Sequence, residues 1–320
     1  MSDATQPLDR VMRLRYAGAC RVCLTSLEAG ATAVYERSRR SVRCTGCREP
    51  APPAHSTALL NDEATTGSDE LKLRAPASAV ITETLRAQAT APVRSAPARL
   101  FGRSPLTDDS RSWYRGALGE LDVARELDRL GDDWCVIHAV PVGVRGSDID
   151  HLVIGPGGVF TINAKFHEGK KLWVGSRRLL VNGQRTDHLR NAAYESKRVA
   201  KALSQATGRA VTATSLIAVV AAQKITVRER RSDVVVLSST QLPRWLRRRP
   251  AVLSPEEAAD LSSVALNLAT WGNPALPAPD LTAFAALRER VAAAKRRRML
   301  WGTALLLSPF AVAAAALFTR

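Results

Sequence analysis

Acidic residues are in short supply. The chain of 320 residues has 30 Asp and Glu against 46 Lys and Arg, a formal net charge of +16. That imbalance disfavours a basic partner and favours an anionic one, either nucleic acid or an acidic lipid surface, without choosing between them. Aromatic residues make up only 5% of the chain, so recognition of a single strand by stacking of many bases is weakly supported. With only 5 cysteines, four of them in two tight pairs, a disulfide scaffold is excluded and metal binding in a reducing compartment is indicated. The N-terminus MSDATQPLDR lacks the apolar core of a secretion signal, so the bulk of the chain is expected in the cytosol. A nucleotide cradle is also missing, because Gly155, Pro156, Gly157 and Gly158 join two strands and open no helix.

What is present divides into segments. Residues 10–52 hold Cys20-x-x-Cys23 and Cys44-x-x-Cys47. A CxxC pair lets two thiolates reach one ion across a tight turn, and two pairs complete the tetrahedron of a structural Zn²⁺ with no open ligand position. TAVYERS and SVR between the pairs suit the hairpin of a zinc ribbon, and Arg21, Arg43 and Arg48 would offset thiolate charge. Two redox pairs or coincidental cysteines are the alternatives. Residues 53–110 are rich in Ala, Pro, Ser and Thr with few large apolar residues, and read as a flexible linker with a transient helix over ITETLRAQA.

Order returns at Trp113. Leu118, Leu121, Ala124, Leu127 and Leu130 share one helical face. Strands are predicted at 134–140, 151–155 and 159–165, a short hairpin follows, and a helix covers 187–207. SLIAVVAA (215–222) and VVVL (234–237) read as buried strands, with helices at 240–248 and 254–270. The pattern is that of one mixed α/β domain over 113–272. Cys135 is expected as a core thiol, His151 as a packing residue and His167 as exposed.

A basic helix is predicted at 280–298, ending in Lys295 to Arg298. After it, Met299 to Thr319 is free of charge. At about 1.5 Å per residue that run spans roughly the hydrocarbon core of a bilayer, about 30 Å. Residues 299–319 are therefore expected as a single transmembrane helix in the inner (cytoplasmic) membrane. The basic flank and the domains would face the cytosol.

The chemistry is concentrated in the 113–272 domain. Asp148 and Asp150 stand at the mouth of one strand, and Asn163 and Lys165 share a face of the next. Glu120 lies in the first helix beside Gly119. Oxygen ligands with a nearby lysine suit Mg²⁺- or Mn²⁺-assisted phosphodiester hydrolysis, with Asp150 and Asn163 on the ion. Charged strand ends are the plainer alternative. GxxGE followed by SDIDHLVIGPGGVFTINAK resembles the nuclease-related domain (NERD), a branch of the PD-(D/E)xK, restriction-endonuclease-like fold. The resemblance covers about 113–230. It implies that Glu120 is the helix-one acid, Asp150 the metal-binding aspartate, Lys165 the motif lysine and Glu195 a polar helper. One position departs from the pattern: Asn163 stands where the family carries Glu or Asp. An amide oxygen can ligate Mg²⁺ but brings no charge, and Asp148 and Glu168 are the nearby acids that proximity offers as compensation. Two functions follow, a membrane-anchored nuclease acting on DNA or RNA, or an inactive membrane-tethered adaptor binding nucleic acid or protein. The arginines at 228–231 and 244–249, with Lys170, Lys171, Arg177 and Arg178, form either a solvated face or a phosphate track.

Overall fold

The computed structural model describes residues 10–14, 18–20, 25–36, 41–47, 71–142, 148–229, 233–272 and 278–318, with side chains in the last helix described as far as 304. The chain forms two compact units, 1–60 and 61–320. In the first unit, β1 (Arg10–Arg13), β4 (Thr32–Glu36) and β5 (Ser41–Cys44) form an antiparallel sheet in the order β1-β4-β5. β2 (Gly18–Ala19) and β3 (Ser26–Leu27) pair as a separate ribbon. The predicted hairpin is therefore β4–β5, which pairs Ala33 with Cys44.

In the second unit, α1 (Ser78–Ala89) and α2 (Ala96–Leu100) precede the long helix α3 (Asp108–Leu127). This departs from the expected linker: the part of 53–110 before residue 71 lies outside the described residues, but from Leu71 the chain is folded. Leu71, Ala77 and Ile81 are fully buried. Ile81 packs with Tyr114 and Ala117 of α3 and with Phe284 and Leu287 of a later helix. Composition misleads because the segment borrows a core from other helices. Its buried polar residues are satisfied locally, Ser78 Oγ donating to Ala75 O at 2.5 Å and Thr84 Oγ1 to Val80 O at 2.6 Å, so burying them carries little penalty.

The main sheet comprises β6 (Cys135–Pro141), β7 (Asp148–Gly155), β8 (Gly158–Phe166), β12 (Ala213–Val220) and β14 (Val234–Ser238) in the order β14-β12-β8-β7-β6. β6, β7 and β8 are antiparallel, while β8, β12 and β14 are parallel. Parallel neighbours need a crossover, and α4 (His188–Thr207) supplies the one from β8 to β12. A second sheet of β9 (Lys171–Val174), β10 (Leu179–Val181), β11 (Gln184–Thr186) and β13 (Lys224–Val227) lies in the order β11-β10-β9-β13. Its strand β13 escapes sequence reading because it is only four residues long with charged or exposed ends.

Helices cover both faces of the main sheet. Val123 and Leu127 of α3 meet Phe160, Ile162 and Leu242 of α5 (Leu242–Arg247) on one side. Val199 and Leu203 of α4 meet Leu152 and Leu261 of α6 (Pro255–Leu266) on the other. Two-sided burial explains why β12 reads as an unbroken apolar run.

The final helix, α7, runs from Leu281 to Phe318 without interruption. The expected 280–298 helix and the 299–319 segment thus run on as one helix as far as Phe318. Among the described residues no helix is long and apolar enough to cross a membrane, and side chains from 305 onward lie outside those residues. Near its start α7 buries Phe284 and Leu287 against α1 and α3, so the packed unit extends beyond the predicted 113–272 at both ends.

If 71–106 belongs to the core, Ile81→Ala should lower the unfolding free energy by about 2–5 kcal/mol. Leu73→Ala, at a position 80% exposed, should cost about 0.5 kcal/mol or less. Urea unfolding of the two variants measures the contrast, and a linker would give none.

Candidate metal centres and active site

In the N-terminal unit, the sulfurs of Cys20, Cys44 and Cys47 lie within 4.8 Å of one another. The Cys44 amide donates to Cys20 Sγ at 3.2 Å, and Arg43 Nη1 donates to Cys47 O at 2.7 Å. Thiolates accept such amide bonds, which orient them. The cluster can hold a metal. The fourth expected ligand, Cys23, lies outside the described residues, as do Arg21 and Arg48.

The second cluster forms where β7, β8, α3 and α4 converge. The ladder between β7 and β8 has His151 opposite Ile162, so Asp150 and Asn163 come next, at the end of the paired run. Asp150 Oδ2 accepts the Ala164 amide at 2.7 Å. On the neighbouring strand Ile217 stands beside Asn163 and Val219 beside Lys165, so the two polar side chains rise from an apolar parallel bed. Glu120 arrives on α3, whose Gly119 lies against β8. A Cβ at Gly119 would stand 3.3 Å from the Phe166 Cβ, tighter than most side-chain contacts, and only glycine permits this approach without displacement.

The electrostatics are those of crowded acids. Burial holds the Glu120 carboxyl well above the usual range, Asp150 and Asp148 push it further, and Lys165 opposes them. The Asp150 carboxyl is raised chiefly by burial, against Lys165 and the Ala164 amide. Glu195, on α4, is also raised by burial and by Asp150, against its bond from Asn163 and the charges of Lys165 and Arg198. Thus Glu120, Asp150 and Glu195 share Lys165 as a common counter-charge.

Asn163 sits at the centre. It is 8% exposed. Its Nδ2 donates to Glu195 Oε2 at 2.8 Å, while its Oδ1 is buried with no hydrogen-bond partner. An orphaned buried carbonyl costs about 1–3 kcal/mol, and beside like-charged acids it marks a place where a cation fits. The donor set is all oxygen, which suits a hard divalent ion rather than a soft one.

The other nearby acids are engaged elsewhere. Asp148 pairs with Arg74 at 3.1 Å, both side chains being largely buried, and that arginine comes from the supposed linker. Glu168 pairs with Lys295 of α7 at 3.6 Å, in the open. Glu195 is the acid that reaches Asn163. Its signal in sequence is a charged residue flanking the buried stripe Ala192, Ser196, Val199, Leu203 of an amphipathic helix.

Histidines flank the site. His151 is fully buried, and its Nδ1 lies 2.8 Å from His138 Nδ1, so it is a packing residue with one shared proton. His167, expected to be exposed, is half-buried and lies beside His188, ring centroids 5.6 Å apart. Burial and Lys165 lower both, His188 to about 4. Cys135 is only half-buried, at the margin of the core.

Residues 115–221 match the family model of the nuclease-related domain. The chain carries a nuclease-related domain. Searches of curated proteins and of solved structures returned no match. The matched span contains Glu120, Asp150, Asn163, Lys165 and Glu195, whereas Arg74 and the cysteine cluster lie outside it. With the mixed α/β sheet this supports nuclease-related function and a nucleic-acid partner at the level of the domain.

A folded-state pKa raised above the free value of about 4.5 means that Glu120 favours the folded chain below that pH. It costs stability as the pH rises through the raised value. Glu120→Gln should therefore raise the urea midpoint at about pH 7.5 and leave it nearly unchanged at about pH 4. Equal gains at both values would assign the effect to packing instead of charge.

Proposed function

We propose that the nuclease-related domain hydrolyses phosphodiester bonds of DNA or RNA with a divalent ion held by Asp150, Glu195 and the Oδ1 of Asn163. The observation that carries this reading is the buried, unpartnered Asn163 Oδ1 beside raised carboxyls. Bound Mg²⁺ or Mn²⁺ would supply Lewis acidity at a phosphoryl oxygen and a more acidic water. The chain's own residues do the rest. Glu195 holds the amide nitrogen of Asn163, which fixes the orientation of the buried, unpartnered carbonyl oxygen, and adds the negative charge that an amide lacks. The Ala164 amide fixes Asp150 Oδ2. Lys165 lies within electrostatic reach of Glu120, Asp150 and Glu195, so it is placed to bind a phosphate oxygen once those acids are neutralised. Glu120, raised by burial, keeps its proton to higher pH than a free glutamate and limits the repulsion around Asp150.

Two further elements complete the proposal. The cysteine cluster, with Cys23, is a structural Zn²⁺ site; Cys44→Ser should remove close to one equivalent of zinc, read by elemental mass spectrometry. The charge-free run 299–319, continuous with α7, is a membrane anchor behind the basic flank. Alkaline extraction of membranes should leave the full chain in the pellet and release a chain ending at Arg298.

The nuclease is tested by cleavage of single- and double-stranded DNA and RNA with the full chain, with and without Mg²⁺ or Mn²⁺. Lys165→Ala and Glu195→Gln should each reduce metal-dependent cleavage by about 100-fold or more. If wild type is inert and Asn163→Asp alone cuts, the natural protein is a binder and the adaptor reading replaces this one.

A further inference from the structure

β14 is an outer strand of the main sheet and β13 an outer strand of the second, and between them the surface is concave. One cavity of about 670 Å³ lies among Val227, Val234, Val236, Arg244, Arg248 and Arg249. A second of about 810 Å³ lies along the C-terminal ends of β12 and β14, from Phe166 to Gln241. The two share Val227, Val236, Leu237 and Gln241, so they adjoin along β14 and together make a trough. One end stands at Phe166, whose side chain lies on the face of β8 opposite to that of Lys165.

The lining has a consistent polarity. Its floor is apolar: Val174 and Val234 are buried beneath it, and Val227 is 43% exposed. Its rim is basic, with Lys224, Arg244, Arg248 and Arg249. The two acids in the lining are committed, Asp122 to Arg125 and to Ser239 Oγ at 2.8 Å, and Glu229 to the Ser176 amide at 3.2 Å. The Arg249 guanidinium lies 4.2 Å from the Trp245 ring centroid. Trp245 itself stands edge-on to Phe160, so that charge rests on a fixed aromatic platform.

An apolar floor under a basic rim separates the classes of anion. A duplex stacks its base faces inward and offers backbone and groove edges, so it would leave the apolar floor uncovered. A flat bilayer cannot follow a concave trough. A single strand presents phosphates at its edge and base faces within. We propose that the trough binds a single-stranded polynucleotide, with phosphates on Arg244, Arg248 and Arg249 and bases over the valine floor. This binding goes beyond the nuclease reading and does not rest on it.

The test is fluorescence anisotropy of the full chain with a labelled single strand and a hairpin duplex of equal length, with no Mg²⁺ or Mn²⁺ added so that cleavage is not supported and the cysteine metal site is left intact. Wild type should prefer the single strand. Arg244→Gln/Arg248→Gln/Arg249→Gln should flatten the log–log salt dependence by about 2, from roughly 0.7 per phosphate contact. Val227→Glu, on the exposed part of the floor, should weaken single-strand binding by about tenfold or more while thermal melting stays unchanged. Duplex preference, an unchanged salt slope in the triple variant, or equally tight competition by poly-glutamate would overturn the proposal. Cleavage is read separately: an inert wild type that still binds as described sinks the nuclease and leaves the trough standing.

Discussion

The nuclease-related domain is organised around the concentration of acids beside one lysine at the end of β8. Glu120, Asp150 and Glu195 come from a helix, a strand and a second helix, and all three are raised by burial. Such a cluster opposes folding by itself, so its neighbours must offset it. The Ala164 amide does so for Asp150, the Asn163 amide for Glu195, and Arg74 for Asp148. Arg74 ties the segment before α1 to the site edge. Gly119 lets α3 approach β8 closely enough to deliver Glu120. The sheet order follows the same requirement, since only adjacent β7 and β8 place Asp150 next to Asn163.

The sequence disclosed periodic and local features and concealed borrowed ones. β12 and α4 were legible because a strand buried on both faces and a strongly amphipathic helix leave patterns in a single segment. α1 was legible as a helix over ITETLRAQA but not as a packed one, because its buried residues are few and its core is completed by Tyr114 and Phe284, which lie far along the chain. The β4–β5 hairpin was legible from the cysteine spacing that brackets it. β13 left no pattern because it is short and pairs in parallel with β9, at a distance in sequence.

The site was half legible for the same reason. Glu120, Asp150, Asn163 and Lys165 are recognisable because two of them flank one turn and the motif fixes their spacing. The fate of the remaining acids depends on tertiary pairing. Asp148 and Glu168 are as close to the motif in sequence as an acid can be, yet one belongs to Arg74 and the other to Lys295. Proximity in sequence is a poor guide here because Asp148, on the same strand face as Asp150, is taken by an arginine 74 residues earlier in the chain. Glu195 lies 32 residues from Asn163 and is bonded to it directly.

That bond bears on the meaning of Asn163. A strand acid at this position would supply one negative charge, and its replacement by an amide removes that charge from β8. The charge is not missing from the site, because Asp150 and Glu195 together still present two carboxylates, the number a strand pair would present. The position of the charge has moved by the length of one side chain, from the strand to the helix above it. What the amide adds is direction: with Nδ2 bound to Glu195, the oxygen has one orientation. Two strand carboxylates in the same burial would repel Glu195 as well as each other, so an acid at 163 and an acid at 195 are alternatives more than partners. An asparagine in the motif is therefore weak grounds for inferring lost chemistry in this domain, because the helix offers the charge that the strand gives up.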